Sequence, residues 1–236
     1  MNKVKAIFIS HEHIDHIKGL PALAEKYNLP VYITGLTLRH SRININQQLP
    51  RPFKAYEPIL VGSLSITGFP KQHDAEDPHS FIITGNDITV GVFTDIGSSC
   101  THVTSQFRKC HAAFLEANYD DVLLENGNYP FYLKNRIRGG KGHLSNKQAL
   151  ELFVKHRPPF MTHLLLAHLS KDNNHPDMAK QLFEAHAANT TIIVASRYEQ
   201  TPVYTITKNS QSLPVVKKRK AAFNLMQLSL FGEVNG

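Results

Sequence analysis

The chain has 236 residues, of which 42% are hydrophobic and 19% charged, a composition that fits a globular protein and excludes a disordered one. Lysine and arginine outnumber aspartate and glutamate by 26 to 19, and the formal net charge of +7 favours polyanionic partners such as nucleic acid. No apolar run is long enough to span a bilayer, and the first residues lack the layout of a signal peptide. With only two cysteines and no disulfide framework, we expect a cytoplasmic protein that has no membrane partner.

Strand-like and helix-like segments alternate along the chain. In chain order, strands are predicted at residues 6–10, 31–34, 59–62, 63–69, 80–84, 88–94, 112–117, 163–170, 190–196 and 203–207. Helices are predicted at 20–28, at 149–156 and at 178–187, the last of them opened by Pro176. Gly85 to Asp87 has the composition of a hairpin turn, and Ser145 with Gln148 forms the S-x-x-Q pattern of a capping box.

The segment HEHIDH, directly after the first predicted strand, is the strongest chemical signal in the chain. Residues two apart in an extended turn present their side chains on the same side, so His11 and His13 can share one metal ion. Asp15 and His16 enter the following helix and point to a neighbouring position. Imidazole and carboxylate ligands suit zinc, manganese or iron, and no nearby cysteine adds a preference for soft metals.

Three further metal-ligand candidates stand at the ends of predicted strands. His73 follows SITGFP, Asp95 follows ITVGVFT, and His168 comes late in HLLLAHLS. Each of them alone would more often be a structural residue with satisfied hydrogen bonds. Together with HEHIDH they predict a metal site at one edge of a sheet, where a carboxylate at Asp95 could bridge two ions.

These motifs, in this order, resemble those of metallo-β-lactamase-fold hydrolases. More narrowly, LEANYD, RIRGGKGHLSNKQA and LLLAHLSKDNN resemble the WalJ/YycJ group, which is similar to the ribonuclease Z branch. The resemblance covers about residues 5 to 200. It implies an α/β (α+β) fold, the αββα sandwich, although the leading strands that usually precede HEHIDH are largely missing, as in a truncated or misassigned reading frame.

The resemblance also implies the roles of individual residues. One divalent ion, zinc or manganese, would be held by His11, His13 and His73, and a second by Asp15, His16 and His168, with Asp95 bridging the two. Asp15, Asp95 and His143 would take part directly in catalysis, and His143 in GHLS would approach the scissile phosphate as a donor or acid. From the residues themselves, Arg136, Arg138 and Lys141 precede GHLS and could hold a phosphate backbone, with a solvated surface loop as the alternative interpretation. Ser145 and Tyr119 are further candidates for substrate binding, and Tyr119 stands at a position where many relatives have histidine.

Composition changes near residue 208, which predicts a domain over residues 1–207 and a flexible basic tail over 208–236. The tail contains KKRK at 217–220 and then QLSLF, which resembles the peptide by which bacterial replication and repair proteins bind the DNA polymerase sliding clamp. In that mode Leu228, Leu230 and Phe231 would enter an apolar cleft while Gln227 forms hydrogen bonds. A core-packing C-terminal segment is the alternative interpretation.

The sequence therefore predicts a dinuclear phosphodiesterase, specifically a DNA exonuclease recruited to replication or repair sites by the clamp. One alternative keeps the metals and changes the substrate to RNA or to small esters or thioesters. A third hypothesis, from a different class, is a non-catalytic DNA-associated adaptor. The complete set of seven ligands favours an enzyme over the adaptor.

Overall fold

The computed structural model describes residues 3–208. The predicted tail, including KKRK and the docking segment QLSLF, lies outside the described residues except for Lys208. Among the described residues, no helix is both long and apolar enough to cross a membrane.

The first sheet consists of three two-residue parallel strands in the order β1-β2-β3. The strands are β1 (Ile7–Phe8), β2 (Val31–Tyr32) and β3 (Pro50–Arg51), joined through helices α1 (Ile14–Ile17), α2 (Leu20–Tyr27) and α3 (Gly35–Ser41). Leu20 and Ala24 of α2 are buried and pack with Ile9, Val31 and Ile33, which gives this layer its own small core. The predicted helix at 20–28 is thus α2, and its apolar face packs with this sheet.

The second sheet has seven strands in the order β10-β9-β8-β7-β6-β5-β4. These strands are β4 (Pro58–Val61), β5 (Leu64–Pro70), β6 (His79–Gly85), β7 (Ile88–Phe93), β8 (Ala112–Glu116), β9 (His163–Ala167) and β10 (Thr191–Val194). Strands β4 to β7 form an antiparallel meander, and β7 to β10 pair in parallel. The predicted hairpin turn between β6 and β7 is confirmed, with positive φ at both Asn86 and Asp87, as a type I′ turn requires.

Five helices accompany the second sheet: α4 (Thr101–Phe107), α5 (Asp121–Asn126), α6 (Phe131–Arg138), α7 (Asn146–His156) and α8 (Pro176–Glu184). The predicted capping box is present, because the Ser145 side chain accepts from the Gln148 amide and the Gln148 side chain from the Ser145 amide. Buried residues of α4, α7 and α8, among them Phe107, Phe153 and Phe183, form the main core with strands β5 to β10.

Aromatic side chains join the two sheets. Phe8 of β1 stacks on Tyr32 of β2 at 4.7 Å between ring centroids, and it meets Phe81 of β6 edge-on at 5.6 Å. Phe53, Ile66 and Phe81 form a buried hydrophobic cluster between the two sheets. The layers therefore run helix, sheet, sheet, helix, which confirms the predicted αββα sandwich.

One predicted strand was wrong and several short helices were missed. Residues 203–207, with the β-like pattern VYTIT, form no strand, and Val203 is 83% exposed. β-propensity expresses packing on a half-buried surface, and this segment pairs with no strand among the described residues. The missed helix α6 buries none of its residues, so no apolar face marked it in the sequence.

Candidate metal centre

The predicted ligands meet at one edge of the sandwich. Strands β5, β7, β8 and β9 all run in the same direction, so their carboxyl ends lie side by side. His73 follows β5, Asp95 follows β7 and His168 follows β9, while the HEHIDH segment reaches the same place from the end of β1. The topology thereby collects residues that are up to 157 positions apart in the chain.

His11, His13 and His73 form the first group of ligands. A nitrogen atom from each of the three rings lies within 4.8 Å of the others. Their ring centroids are separated by 4.6 Å (His11 and His13), 4.9 Å (His11 and His73) and 5.0 Å (His13 and His73). Three converging imidazoles match the nitrogen ligands that zinc and related ions prefer.

Asp15, His16 and His168 form the second group, again within 4.8 Å of one another. Asp95 lies between the two groups. Its Oδ2 atom is 3.5 Å from His16 Nε2, and its Oδ1 atom is 3.4 Å from His168 Nε2 and 4.0 Å from His73 Nε2. The structure thus brings all seven predicted ligands together, with Asp95 between the two groups.

The donor atoms themselves fit a bound cation. His11 Nε2, His73 Nε2 and Asp95 Oδ2 are buried and have no hydrogen-bond partner. Buried polar atoms in native proteins are nearly always satisfied, and three atoms without a protein partner that are aimed at one place fit a cation held between them. Nitrogen and carboxylate donors at this spacing are the chemistry of a divalent metal site.

Hydrogen bonds behind the ligands fix which nitrogen faces the site. His73 Nδ1 donates to the carbonyl oxygen of Gly142 at 3.0 Å, and His168 Nδ1 donates to Glu116 Oε2 at 2.9 Å. Because Nδ1 carries the proton in both rings, the lone pair of each Nε2 is left for a metal ion.

Glu116 is a candidate functional residue that the sequence analysis missed. It is fully buried at the end of β8, and its carboxylate accepts from the backbone amides of Asp95 (2.6 Å) and Leu144 (2.7 Å). His143 and His168 also donate to it through Nδ1. Burial opposes ionisation, but the hydrogen bonds from the two histidines outweigh it and lower the pKa of Glu116 to about 2. Glu116 therefore remains an anion and orients a ligand and a catalytic candidate together.

Lys71 is a second residue that the sequence analysis did not single out. It is 5% exposed, donates from Nζ to the Thr94 carbonyl at 2.8 Å, and lies 3.8 Å from Asp95 Oδ2. Burial lowers its pKa to about 8, against the opposing charges of Asp95 and Glu116. Its positive charge partly balances two buried carboxylates beside the ligands.

His143 lies at the centre, as its predicted role requires. Its ring centroid is 5.2 Å from those of both His73 and His168. Glu116 accepts from its Nδ1 at 3.2 Å, so Nε2 is free to meet a substrate oxygen.

The predicted substrate-binding residues divide into two sets. Arg136 is half-exposed near the centre, where it donates to Asp74 Oδ2 at 2.6 Å, and Lys141 is exposed. Arg138 is paired with Glu125 instead. Ser145 and Tyr119 are 1% and 3% exposed, and the Ser145 side chain caps α7. Neither residue therefore offers an exposed side chain to a substrate.

Gly142 packs too closely to carry a side chain. A Cβ atom added there would lie 2.1 Å from the Ile137 carbonyl oxygen. We expect Gly142→Ala to lower the free energy of unfolding by about 2 kcal/mol through this clash, and to weaken metal binding by shifting the carbonyl that orients His73. Gly140→Ala is the matched control, since nothing lies within 4 Å of its added Cβ. Urea unfolding of both variants measures the difference, and equal stabilities would contradict it.

Comparisons with known proteins agree with this geometry. Residues 1–168 match the family model described as the beta-lactamase superfamily domain. The chain belongs to the β-lactamase superfamily. It is 33% identical over 183 residues to exodeoxyribonuclease YycJ of Bacillus anthracis, covering 76% of this chain and 69% of that protein. It is 30% identical over 190 residues to exodeoxyribonuclease WalJ of Streptococcus pneumoniae, covering 76% and 71%.

Among solved structures, the metallo-β-lactamase-fold protein YhfI of Bacillus subtilis is similar, with a TM-score of 0.62 at 20% identity. The match covers 82% of this chain and 76% of that one. At this identity the likeness shows the fold alone. Membership of the β-lactamase superfamily makes the chain a hydrolase, and the clusters described above contain its candidate divalent-metal ligands.

Two residues of this superfamily member's centre have strained backbones. Asp95 and His168 both have φ of 55°, in the left-handed region that residues with a side chain rarely adopt. Such conformations cost about 1–3 kcal/mol each and cluster at functional sites. Here they turn the chain sharply at the ends of β7 and β9, which directs both side chains into the centre.

Metal removal tests the site directly. Because the buried donors lack partners within the protein, we expect divalent metal to bind the folded state and to raise the midpoint of thermal unfolding. Metal at 100 times its dissociation constant adds about 2.7 kcal/mol of stability. Differential scanning calorimetry of chelated protein, with zinc or manganese added back, measures the shift, and His11→Ala should reduce it. An unchanged midpoint would contradict a metal site here.

Proposed function

We propose that the protein is a dinuclear metal-dependent phosphodiesterase that acts as a DNA exonuclease. The observation that carries the proposal is the placement of Asp95 between two histidine-containing ligand groups, with His143 beside them. Two close divalent ions favour in-line displacement at phosphate. Similarity to two proteins named exodeoxyribonucleases supports DNA as the substrate.

Residues of the centre would divide the work as follows. His11, His13 and His73 would hold one ion, and Asp15, His16 and His168 the other, with Asp95 shared between them. When bound, the ions would supply positive charge against the phosphodiester and would lower the pKa of an attacking water.

His143 would donate a proton rather than hold a metal ion. Its Nδ1–H is held by Glu116, so Nε2 faces the substrate. In the imidazolium form Nε2 carries a second proton, which can be donated to a phosphate oxygen or to the leaving oxygen. Arg136 would bind the phosphate backbone next to it.

End-labelled substrates test this function. Single-stranded DNA, double-stranded DNA and RNA of the same sequence are incubated with the protein in manganese or in zinc. Progressive shortening of DNA that stops with chelator supports the proposal. Intact DNA with metal demonstrably bound would overturn it, and cleavage of RNA alone would transfer the function to RNA processing.

We also propose that the segment QLSLF binds the DNA polymerase sliding clamp and recruits the nuclease to replication or repair sites. The support is the sequence alone: Gln227, Leu228, Leu230 and Phe231 have the spacing of such peptides. A pull-down with purified clamp, comparing the full chain with a Leu230→Ala/Phe231→Ala variant, tests it. Clamp retention by both proteins, or by neither, would contradict the proposal.

A further inference from the structure

A cavity opens directly beside the metal centre. It has a volume of about 750 Å³, and His143 and His168 form part of its wall. The same two histidines belong to the cluster of ligand candidates with Asp95 and Glu116. A group lying in the cavity would therefore lie next to the metal centre.

The cavity wall carries positive charge. Arg136, Lys171 and Arg197 line it, and no carboxylate does so among the described residues. Arg197 donates from Nη2 to the Leu169 carbonyl oxygen at 2.7 Å. This hydrogen bond anchors the guanidinium and leaves most of its five N–H groups available. Lys171 is exposed and makes no hydrogen bond or ion pair within the described part of the chain. This charge pattern favours an anionic ligand.

Aromatic and apolar side chains complete the wall. Tyr129 and Tyr198 line the cavity together with Leu133 and Val194. Tyr129 is fixed by a hydrogen bond from its hydroxyl to Asp172 Oδ2 at 2.8 Å, whereas Tyr198 as a residue is 82% exposed. An exposed ring beside guanidinium and ammonium groups is the arrangement by which proteins stack the bases of single strands.

The size of the cavity limits what can enter. A volume of about 750 Å³ lies within the range of pockets that enclose a ligand of small-molecule size. One or two unpaired nucleotides are ligands of that size, whereas a duplex, whose major groove alone is about 12 Å wide, is larger than such a pocket encloses.

We propose that this cavity is a nucleotide subsite that holds the end of a single strand beside the scissile phosphate. Tyr198 stacks on a base, and Arg197 with Lys171 binds the phosphate next to it. This inference rests on the proposed phosphodiesterase function, and it adds that a duplex must be unpaired at its end before it is cut.

Calorimetric titration of the full-length, metal-loaded protein with dAMP, AMP and deoxyribose 5-phosphate tests the subsite. Tyr198→Ala should weaken dAMP binding roughly tenfold and deoxyribose 5-phosphate binding less than twofold, because only the first ligand has a base to stack. Arg197→Ala should weaken both ligands roughly tenfold. Tyr27→Ala and Lys180→Ala, at an exposed ring and cation outside the cavity, should leave the affinities within twofold of wild type.

The outcomes separate this proposal from the one on which it rests. If the wild type degrades DNA but Tyr198→Ala and Arg197→Ala bind dAMP with wild-type affinity, the proposed subsite is wrong and the nuclease function stands. If no polynucleotide is cleaved but Tyr198→Ala still weakens nucleotide binding selectively, the subsite stands and the nuclease function is wrong. Comparison of AMP with dAMP assigns the subsite to RNA or to DNA.

Discussion

Replacing Asp95 by asparagine is expected to reduce hydrolysis about a thousandfold, because an amide cannot supply the anionic oxygens that both ligand groups share. Loss of several kcal/mol of charge stabilisation in the transition state corresponds to a rate change of this size. The substitution preserves the shape of a side chain that is 2% exposed, so the fold should survive. The measurement is kcat/KM on single-stranded DNA, together with metal content per chain and circular dichroism.

Asp87→Asn is the matched control for this experiment. Asp87 is exposed in the turn before β7, at the end of this strand opposite to Asp95, and the same change of charge there should leave activity at the wild-type level. Full metal content and normal turnover in Asp95→Asn would show that Asp95 is not a bridging ligand. Loss of activity in both variants would point to net charge rather than to the metal centre.

Glu116→Gln is expected to weaken metal binding and catalysis by about 10- to 100-fold, although Glu116 belongs to neither of the two proposed metal-binding triads. Carboxylates that orient metal-bound histidines have effects of this size. The glutamine would keep one oxygen for four donors and would direct its own amino group at some of them, so His143 and His168 would both lose their fixed orientation. Metal affinity by competition with a chelator and kcat on DNA measure the two losses separately.

Glu184→Gln, at an exposed position paired with Lys180 on α8, is the control for the Glu116 variant. Removing one partner of a buried charged network also destabilises the fold by about 3–5 kcal/mol, so the thermal midpoint should fall in Glu116→Gln alone. Wild-type metal affinity in a folded Glu116→Gln protein would show that the carboxylate only fills space.

The sequence predicted the ligands better than it predicted their surroundings. His11, His13, Asp15 and His16 form a dense motif, and a polar residue at the end of an apolar strand is visible from the pattern alone. Glu116 offered the same signal, since it ends the apolar strand β8 between β7 and β9, whose ends carry Asp95 and His168. Recognising it required the strand order, which is a property of the assembled sheet.

Long-range contacts account for the remaining differences. Lys171 and Arg197 stand 26 positions apart and meet at the cavity only because β9 and β10 are neighbours. Ser145 was assigned both to a helix cap and to substrate binding, and the structure gives it the cap. The segment 203–207 has strand composition but pairs with no strand among the described residues, which local pattern alone does not reveal.

The small first sheet affects how readily the protein is degraded as well as how it binds metal. Its three strands contain two residues each, so few backbone hydrogen bonds hold this layer, yet it delivers His11, His13, Asp15 and His16 to the centre. Bound ions would therefore act as a cross-link between the first layer and the seven-stranded sheet. Without bound ions, local unfolding should begin in this layer and expose it to proteases. Protein molecules that lack metal should therefore be degraded faster than molecules that contain it.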